Sequence, residues 1–373
     1  MNREFYIDKI RVLLTVLVIL HHTFIAYGAS GGWCYISKDV VSPGLQIVLS
    51  AILSVNQAFF MSLFFFISAY FMPGSYDRKG FSQYLKDRLV RLGIPLLIYC
   101  TLINPTLIYF IQVHSGNASS GLGEFIINSN LKNPNTAHLW FVLSLLVFET
   151  FYAFYRKYGK ISLSELFTGS IPGNIQVLLF ILVTGSIAFL LRTVYPIGGK
   201  NFIGLQFGYF TLYIAFYLLG IITRRKNWLE KYSLKTAVSW FIAAVIAIPL
   251  IIPAWLSVVA EPALVNEFTG GFHWRSAFLA FWEAIVCTGF CMFILVFAKL
   301  RMNRGNNFLI ALSANTYAAY IIHPVIVVAL TILMEFVPVP PYIKMLTAGI
   351  LGSLFCFGFA QLLRMIPGVK KVL

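Results

Sequence analysis

Along the chain, apolar residues gather into long blocks, and polar residues are confined mostly to the gaps between them. Ten blocks approach or exceed the length of about 20 apolar residues that lets a helix cross a bilayer. They run roughly over 10–28, 45–72, 88–112, 138–156, 174–192, 204–223, 236–257, 274–299, 308–334 and 343–365. A lone segment in lipid must satisfy its own backbone, so each block is predicted to be a helix. The pattern predicts an all-α, polytopic membrane bundle of about ten transmembrane helices. No fixed-period repeat, low-complexity tract or hydrophilic block interrupts it, so residues 1–373 read as a single transmembrane domain without a separate soluble one.

Composition agrees with this reading. At 59% hydrophobic and 11% charged residues, with a mean hydropathy of +0.82, the chain has too little polar surface for a water-soluble globule. The net charge of +15 is distributed unevenly. With the N-terminus in the cytoplasm, 22 of the 28 Lys and Arg residues fall in inner segments, leaving Lys38, Lys132, Arg192, Lys200, Arg275 and Lys344 outside. That asymmetry predicts ten spans with both termini in the cytoplasm. The charge excess then answers to anionic membrane lipid and calls for no nucleic acid. The first block lacks a small-residue cleavage site and reads as part of the mature protein. Of Cys34, Cys100, Cys287, Cys291 and Cys356, only Cys34 falls in an outer loop, so no disulfide framework is expected. Cys287 and Cys291 lack ligand company, so no metal site is expected either. The outer stretch Val113 to Ala137 contains HSGNASSGLGEF and NSNLKNPN, turn-rich segments suited to a loop near a polar ligand.

Histidine is the residue type that stands out. All six histidines fall in the outer halves of the predicted map: His21 and His22 late in the first block, His114 and His138 flanking the third and fourth, His273 opening the eighth, and His323 within the ninth. Ionisable groups inside a span are costly and point to function, which singles out His22 and His323. Arg11 and His22 are about three turns plus 20° apart, hence on one face with roughly 16 Å of rise, while His21 points about 80° away. Asp8 falls within about 40° of His22. Asp8, Arg11 and His22 therefore form a polar stripe that must face protein or water. The plainer alternative is a boundary ion pair of Asp8 with Arg11 and a structural hydrogen bond from His22.

These residues and four later motifs occur together in a familiar order. YIDKIR with ten residues between Arg11 and His22, FFFISAYFM (Phe64–Met72), RLVRLGIPLL (Arg88–Leu97) with its Arg-x-x-Arg, HLWFVLSLLVFE (His138–Glu149) and LSANTYAAYIIHPV (Leu312–Val325) together resemble the membrane-bound acyltransferase family 3. The ending RMIPGVKKVL looks like the branch of the periplasmic glucan succinyltransferase. The resemblance implies transfer of an acetyl- or succinyl-class group from an acyl-CoA to a carbohydrate hydroxyl of the cell envelope or of an exported glycan. It assigns catalysis to His22, whose imidazole suits removal of a proton from a weakly nucleophilic hydroxyl. Asp8 and Arg11 join His22 in that assignment.

Arg88 and Arg91 share a helix face at i, i+3, and guanidinium forks match phosphate oxygens, so the pair is a docking point for coenzyme A; without the resemblance, two topogenic charges would explain them as well. Four residues are candidates for the acceptor side: His138, Trp140, His323 and Glu149. Trp140 fits stacking on a sugar ring or an interfacial aromatic belt, and His323 is placed to meet His22. Glu149 and Glu283 lie within spans and need partners, an imidazole or Arg192 being the expected ones. Phe-rich AFFMSLFFFISAY (Ala58–Tyr70) is expected to serve as a lipid-facing and packing surface. Two other function classes stay open: a secondary transporter with a buried His/Arg/Glu pathway, against which the chain shows no related halves, and a passive scaffold, which leaves Arg11 and His22 unexplained.

Overall fold

The structure, a computed structural model, describes residues 3–132, 135–159, 171–199 and 203–373. Lys160 and Lys200 of the charge count, and Asn133 and Pro134 of the outer segment, lie outside the described residues. Among the described residues all regular structure is helical, and nine helices are long and apolar enough to cross a membrane. These are α1 (Phe5–Ala26), α2 (Pro43–His114), α3 (Ala137–Tyr158), α4 (Asn174–Val194), α5 (Phe207–Lys226), α6 (Leu234–Ala260), α7 (Trp274–Arg301), α8 (Asn307–Glu335) and α9 (Pro341–Met365). The chain is a polytopic helical membrane protein.

Nine helices accommodate ten blocks because α2 contains the second and third. As one straight rod its 72 residues would reach about 108 Å, more than three times the hydrocarbon thickness of about 30 Å. Helical geometry fails at Gly80 (φ 70°, ψ 177°), and the chain folds back there. Arg88 Nη2 lies 3.4 Å from Ser75 Oγ, although a continuous helix would hold residues thirteen apart about 20 Å from each other. Past the bend, two wide helical turns, Leu89–Gly93 and Tyr99–Ile103, precede Pro95 and Pro105. Proline removes an N–H and crowds the carbonyl four residues back. Both affected carbonyls have side-chain donors: the Tyr317 hydroxyl reaches Arg91 O at 2.9 Å, and Asn130 Nδ2 reaches Thr101 O at 2.9 Å.

Two expectations are corrected here. The Phe-rich stretch does not face lipid: Phe59, Phe60, Phe65 and Phe66 are buried. The reason is positional, since α2 packs against α1, α3, α5 and α7 and so occupies the interior. The outer segment after α2 is not loop throughout, for Leu122–Lys132 is a helix whose Phe125 packs on Tyr109. Its apolar positions Leu122, Phe125 and Ile126 recur at helical spacing, which the glycines around them obscured.

Lipid tails are as apolar as Leu, so helices here associate through close packing and polar contacts more than through the hydrophobic effect. Glycine makes the closest approaches possible. A Cβ on Gly289 of α7 would collide with the carbonyl oxygen of Trp240 on α6, whereas one on Gly358 of α9 meets nothing within 4 Å. Gly289→Ala is expected to lower the thermal midpoint in detergent, reflecting an overpacking cost of about 1–3 kcal/mol. Gly358→Ala should leave the midpoint unchanged or raise it, because Ala is the better helix former by up to about 1 kcal/mol. Equal midpoints for the two variants would contradict the close packing of α6 on α7. The first helix, α1, packs against α8, α9, α2 and α7, which sets its polar stripe inside the bundle.

Candidate active site

The first half of the stripe opens into a cavity of about 620 Å³ at the end of the bundle where α1 begins. Eight lining side chains are cationic (Arg3, Arg11, Arg78, Lys79, Arg88, Arg91, Arg224 and Arg364) and two are carboxylates, Asp8 and Glu149. The carboxylates are engaged. Asp8 accepts from Arg3 Nε at 2.7 Å and from the Ser313 hydroxyl at 2.7 Å. Glu149 Oε2 lies 2.8 Å from Arg88 Nε, an ion pair whose N–H does not point along that line, and accepts from the Tyr84 hydroxyl at 3.2 Å. Arg88 also sits over the Tyr84 ring at 4.9 Å. Among the described residues the guanidiniums of Arg11 and Arg91 have no carboxylate within 4 Å; Arg11 rests against the Phe71 ring at 5.2 Å. Excess positive charge with two uncommitted forks, on walls that include Phe64, Phe71 and Phe141, suits a ligand carrying both phosphates and an apolar part.

Further along α1 lies a group of stacked rings. His22 Nδ1 is 3.0 Å from His323 Nε2, with ring centroids 4.9 Å apart. His323 is fully buried and its Nδ1 lies 2.5 Å from the Tyr320 carbonyl oxygen. His138 stands edge-on to His323 at 4.8 Å and donates from Nε2 to the Ile321 carbonyl at 3.2 Å. Trp33 stacks on His22, centroids 4.2 Å apart and 22° from parallel, and lies 6.0 Å from His323. His21 turns away: it stacks on Phe60, and its Nδ1 accepts from Asn56 Nδ2 at 3.1 Å. Tyr320 belongs to both regions, lining the cavity while its hydroxyl donates to the His138 carbonyl.

Trp33 is the residue that periodicity missed. It lies in the segment between α1 and α2, which Gly31 (φ +154°) turns so tightly that a Cβ there would meet Ile25 Cδ1 at 2.5 Å. The segment is tied down by Ser37 N to Ala26 O (2.8 Å), Val41 N to Tyr27 O (3.0 Å), Tyr35 hydroxyl to Glu335 (2.5 Å) and Lys344 to Asp39 (2.5 Å). An aromatic placed directly after two glycines at the end of α1 is the signal that could have pointed to it. Trp33 Nε1 and the Tyr99 hydroxyl, the latter on a ring edge-on to His138 at 4.5 Å, are buried without a hydrogen-bond partner among the described residues. Burial pushes the thiol of Cys34, beside Trp33, up to about 11.

Several expected contacts are rearranged. Asp8, Arg11, Arg88, Arg91 and Glu149 come together around the cavity, and His22, His138 and His323 form the ring group beyond it. Asp8 pairs with Arg3, and no Asp8–Arg11 ion pair lies within 4 Å among the described residues. Trp140 leaves the histidines and stacks on Tyr213 at 5.4 Å, because the turn Ala137–Leu139 sends His138 and Trp140 in different directions. Glu149 meets Arg88, not an imidazole, while Glu283 pairs with Arg192. His114 bonds Glu335 at 3.1 Å, outside the ring group.

Fold and site thus define a membrane protein that holds a basic cavity and an imidazole cluster within one helical bundle. Residues 4–365 match the family model described as an acyltransferase domain, and the chain belongs to that acyltransferase family. It is 29% identical over 233 residues to glucans biosynthesis protein C of Escherichia coli O157:H7, the match covering 59% of this chain and 58% of that protein. The same protein of Escherichia coli O1:K1 / APEC matches with the same identity and coverage. The chain therefore spans under two thirds of the length of these curated relatives. No solved structure matches.

Proposed function

We propose that this protein is an O-acyltransferase of the inner (plasma) membrane, moving an acetyl- or succinyl-class group from a cytoplasmic acyl-CoA to a hydroxyl of a cell-envelope or exported carbohydrate. One observation carries the reading: a strongly cationic cavity with uncommitted guanidiniums has Tyr320 in its wall, and the other contacts of Tyr320 are with His138 and His323 of the imidazole group around His22. Arg88 and Arg91 bind phosphate, with Glu149 and Tyr84 fixing the Arg88 fork; Arg11 adds charge deeper along α1. A long, flexible thioester arm runs from there toward His22, about 10 Å of helix rise beyond Thr15 of the cavity wall. His22 removes the proton of the acceptor hydroxyl as its oxygen bonds the thioester carbon. The C–S bond breaks, and the proton passes from His22 to the departing thiolate. His138 and Trp33 border the acceptor. The basic-residue asymmetry supports a cytoplasmic cavity and an outward imidazole group.

The test is release of free thiol from acyl-CoA by purified protein in nanodiscs, with and without a glucan acceptor. Acceptor-dependent release together with acylated glucan is expected. Ion-gradient-driven uptake of the glucan by vesicles, with no thioester cleavage, would contradict the proposal and favour a transporter.

A further inference from the structure

We propose that His323, with Pro324 behind it, is a positioning residue that locks His22 into the tautomer whose Nε2 is the free base. This rests on the reading of His22 as the base. The argument is one of hydrogen-bond direction. A carbonyl oxygen only accepts, so the 2.5 Å contact between His323 Nδ1 and Tyr320 O places a proton on Nδ1. In a neutral imidazole Nε2 is then an acceptor, and the 3.0 Å contact with His22 Nδ1 requires His22 to donate. With its proton on Nδ1, neutral His22 keeps its lone pair on Nε2. When His22 takes the hydroxyl proton, the same bond to His323 strengthens, because its donor becomes charged.

Catalytic imidazoles are often oriented by a carboxylate; here a peptide carbonyl is the terminal acceptor. Inside a helix that carbonyl would ordinarily be committed to the N–H four residues on. Position 324 is proline, within α8, and has no N–H to offer. The Tyr320 carbonyl is thereby left for His323. The same exchange of a helical N–H for a side-chain donor occurs at Pro95, where Arg91 O takes the Tyr317 hydroxyl, and at Pro105, where Thr101 O takes Asn130. His323 is fully buried, hydrogen-bonded through Nε2 to His22 and bordered edge-on by His138, so its ring has little room to swing and reverse the order of donors.

The experiment compares steady-state kinetics of the full chain in nanodiscs for wild type, His323→Phe, His323→Gln, Pro324→Ala and His22→Ala. His323→Phe keeps a ring at this site but not the relay, and kcat should fall roughly 10-fold or more, a share of the ~10²–10⁴ that a positioned base supplies, with KM for acyl-CoA unchanged. His323→Gln should recover most of that loss, since one amide both accepts from His22 and donates to the carbonyl. Pro324→Ala restores the competing N–H, so kcat should again fall at constant KM. Wild-type kcat in His323→Phe, or equal losses in the Phe and Gln variants, would overturn the relay while an inactive His22→Ala leaves the base assignment standing. An active His22→Ala would overturn the base itself. If His323→Phe fails to assemble, Pro324→Ala decides, and wild-type turnover there overturns the proposal.

Discussion

His22→Ala is expected to abolish acyl transfer while acyl-CoA still binds. General-base catalysis by a positioned side chain is worth about 10²–10⁴-fold, so loss of the imidazole should take turnover to background. The donor site should survive, because none of the cavity-lining residues is His22. Its neighbour is the natural control. His21 is buried, stacked on Phe60 and bonded to Asn56, with its plane 77° from that of His22. His21→Ala should cost stability through the lost packing and strand the Asn56 amide, yet retain measurable transfer. Single-turnover transfer beside a folding control checks both, and an active His22→Ala protein with a dead His21→Ala protein would reverse the assignment.

The second large effect is expected at Arg91. A charge-assisted hydrogen bond is worth about 1.5–3 kcal/mol, so Arg91→Gln should weaken acyl-CoA binding by roughly 10- to 100-fold with acceptor binding untouched. Arg88 is the less informative position. It neutralises Glu149, which is 1% exposed, and removing one partner of a buried pair costs about 3–5 kcal/mol of stability. Changing both arginines together would mix a binding defect with a folding one. Calorimetric titration of Arg91→Gln with acyl-CoA checks the point; unaltered affinity in a normally folded variant would leave Arg91 with a topogenic role alone.

The helices were legible in the sequence because lipid leaves few alternatives: a block of apolar residues there is a helix whatever surrounds it. Joins were less legible. The stretch through Gly80 is polar enough to read as a loop, yet it is helical up to a single reversed residue. Helical periodicity correctly put Asp8 and Arg11 on one cavity, since both sit on one element. It carried no information about pairings between elements. Depth in the membrane had placed His323 to meet His22, and it does; Asp8 takes the nearby Arg3 in place of Arg11, while its contact with Ser313 and that of Trp140 with Tyr213 depend on how helices rotate against each other. Trp33 escaped because a loop has no period to read. Pro324 was visible as a letter within a motif, but its consequence needed the Tyr320 carbonyl and the His323 ring in place.

Proteoliposomes offering labelled acyl-CoA only at the face where α1 begins, with a glucan acceptor only at the opposite face, test the central claim most directly. The account predicts labelled glucan across the membrane from the donor, with free thiol left behind on the donor side and neither product formed by His22→Ala. Labelled glucan appearing only when donor and acceptor share a face, or equal transfer by His22→Ala, would contradict it.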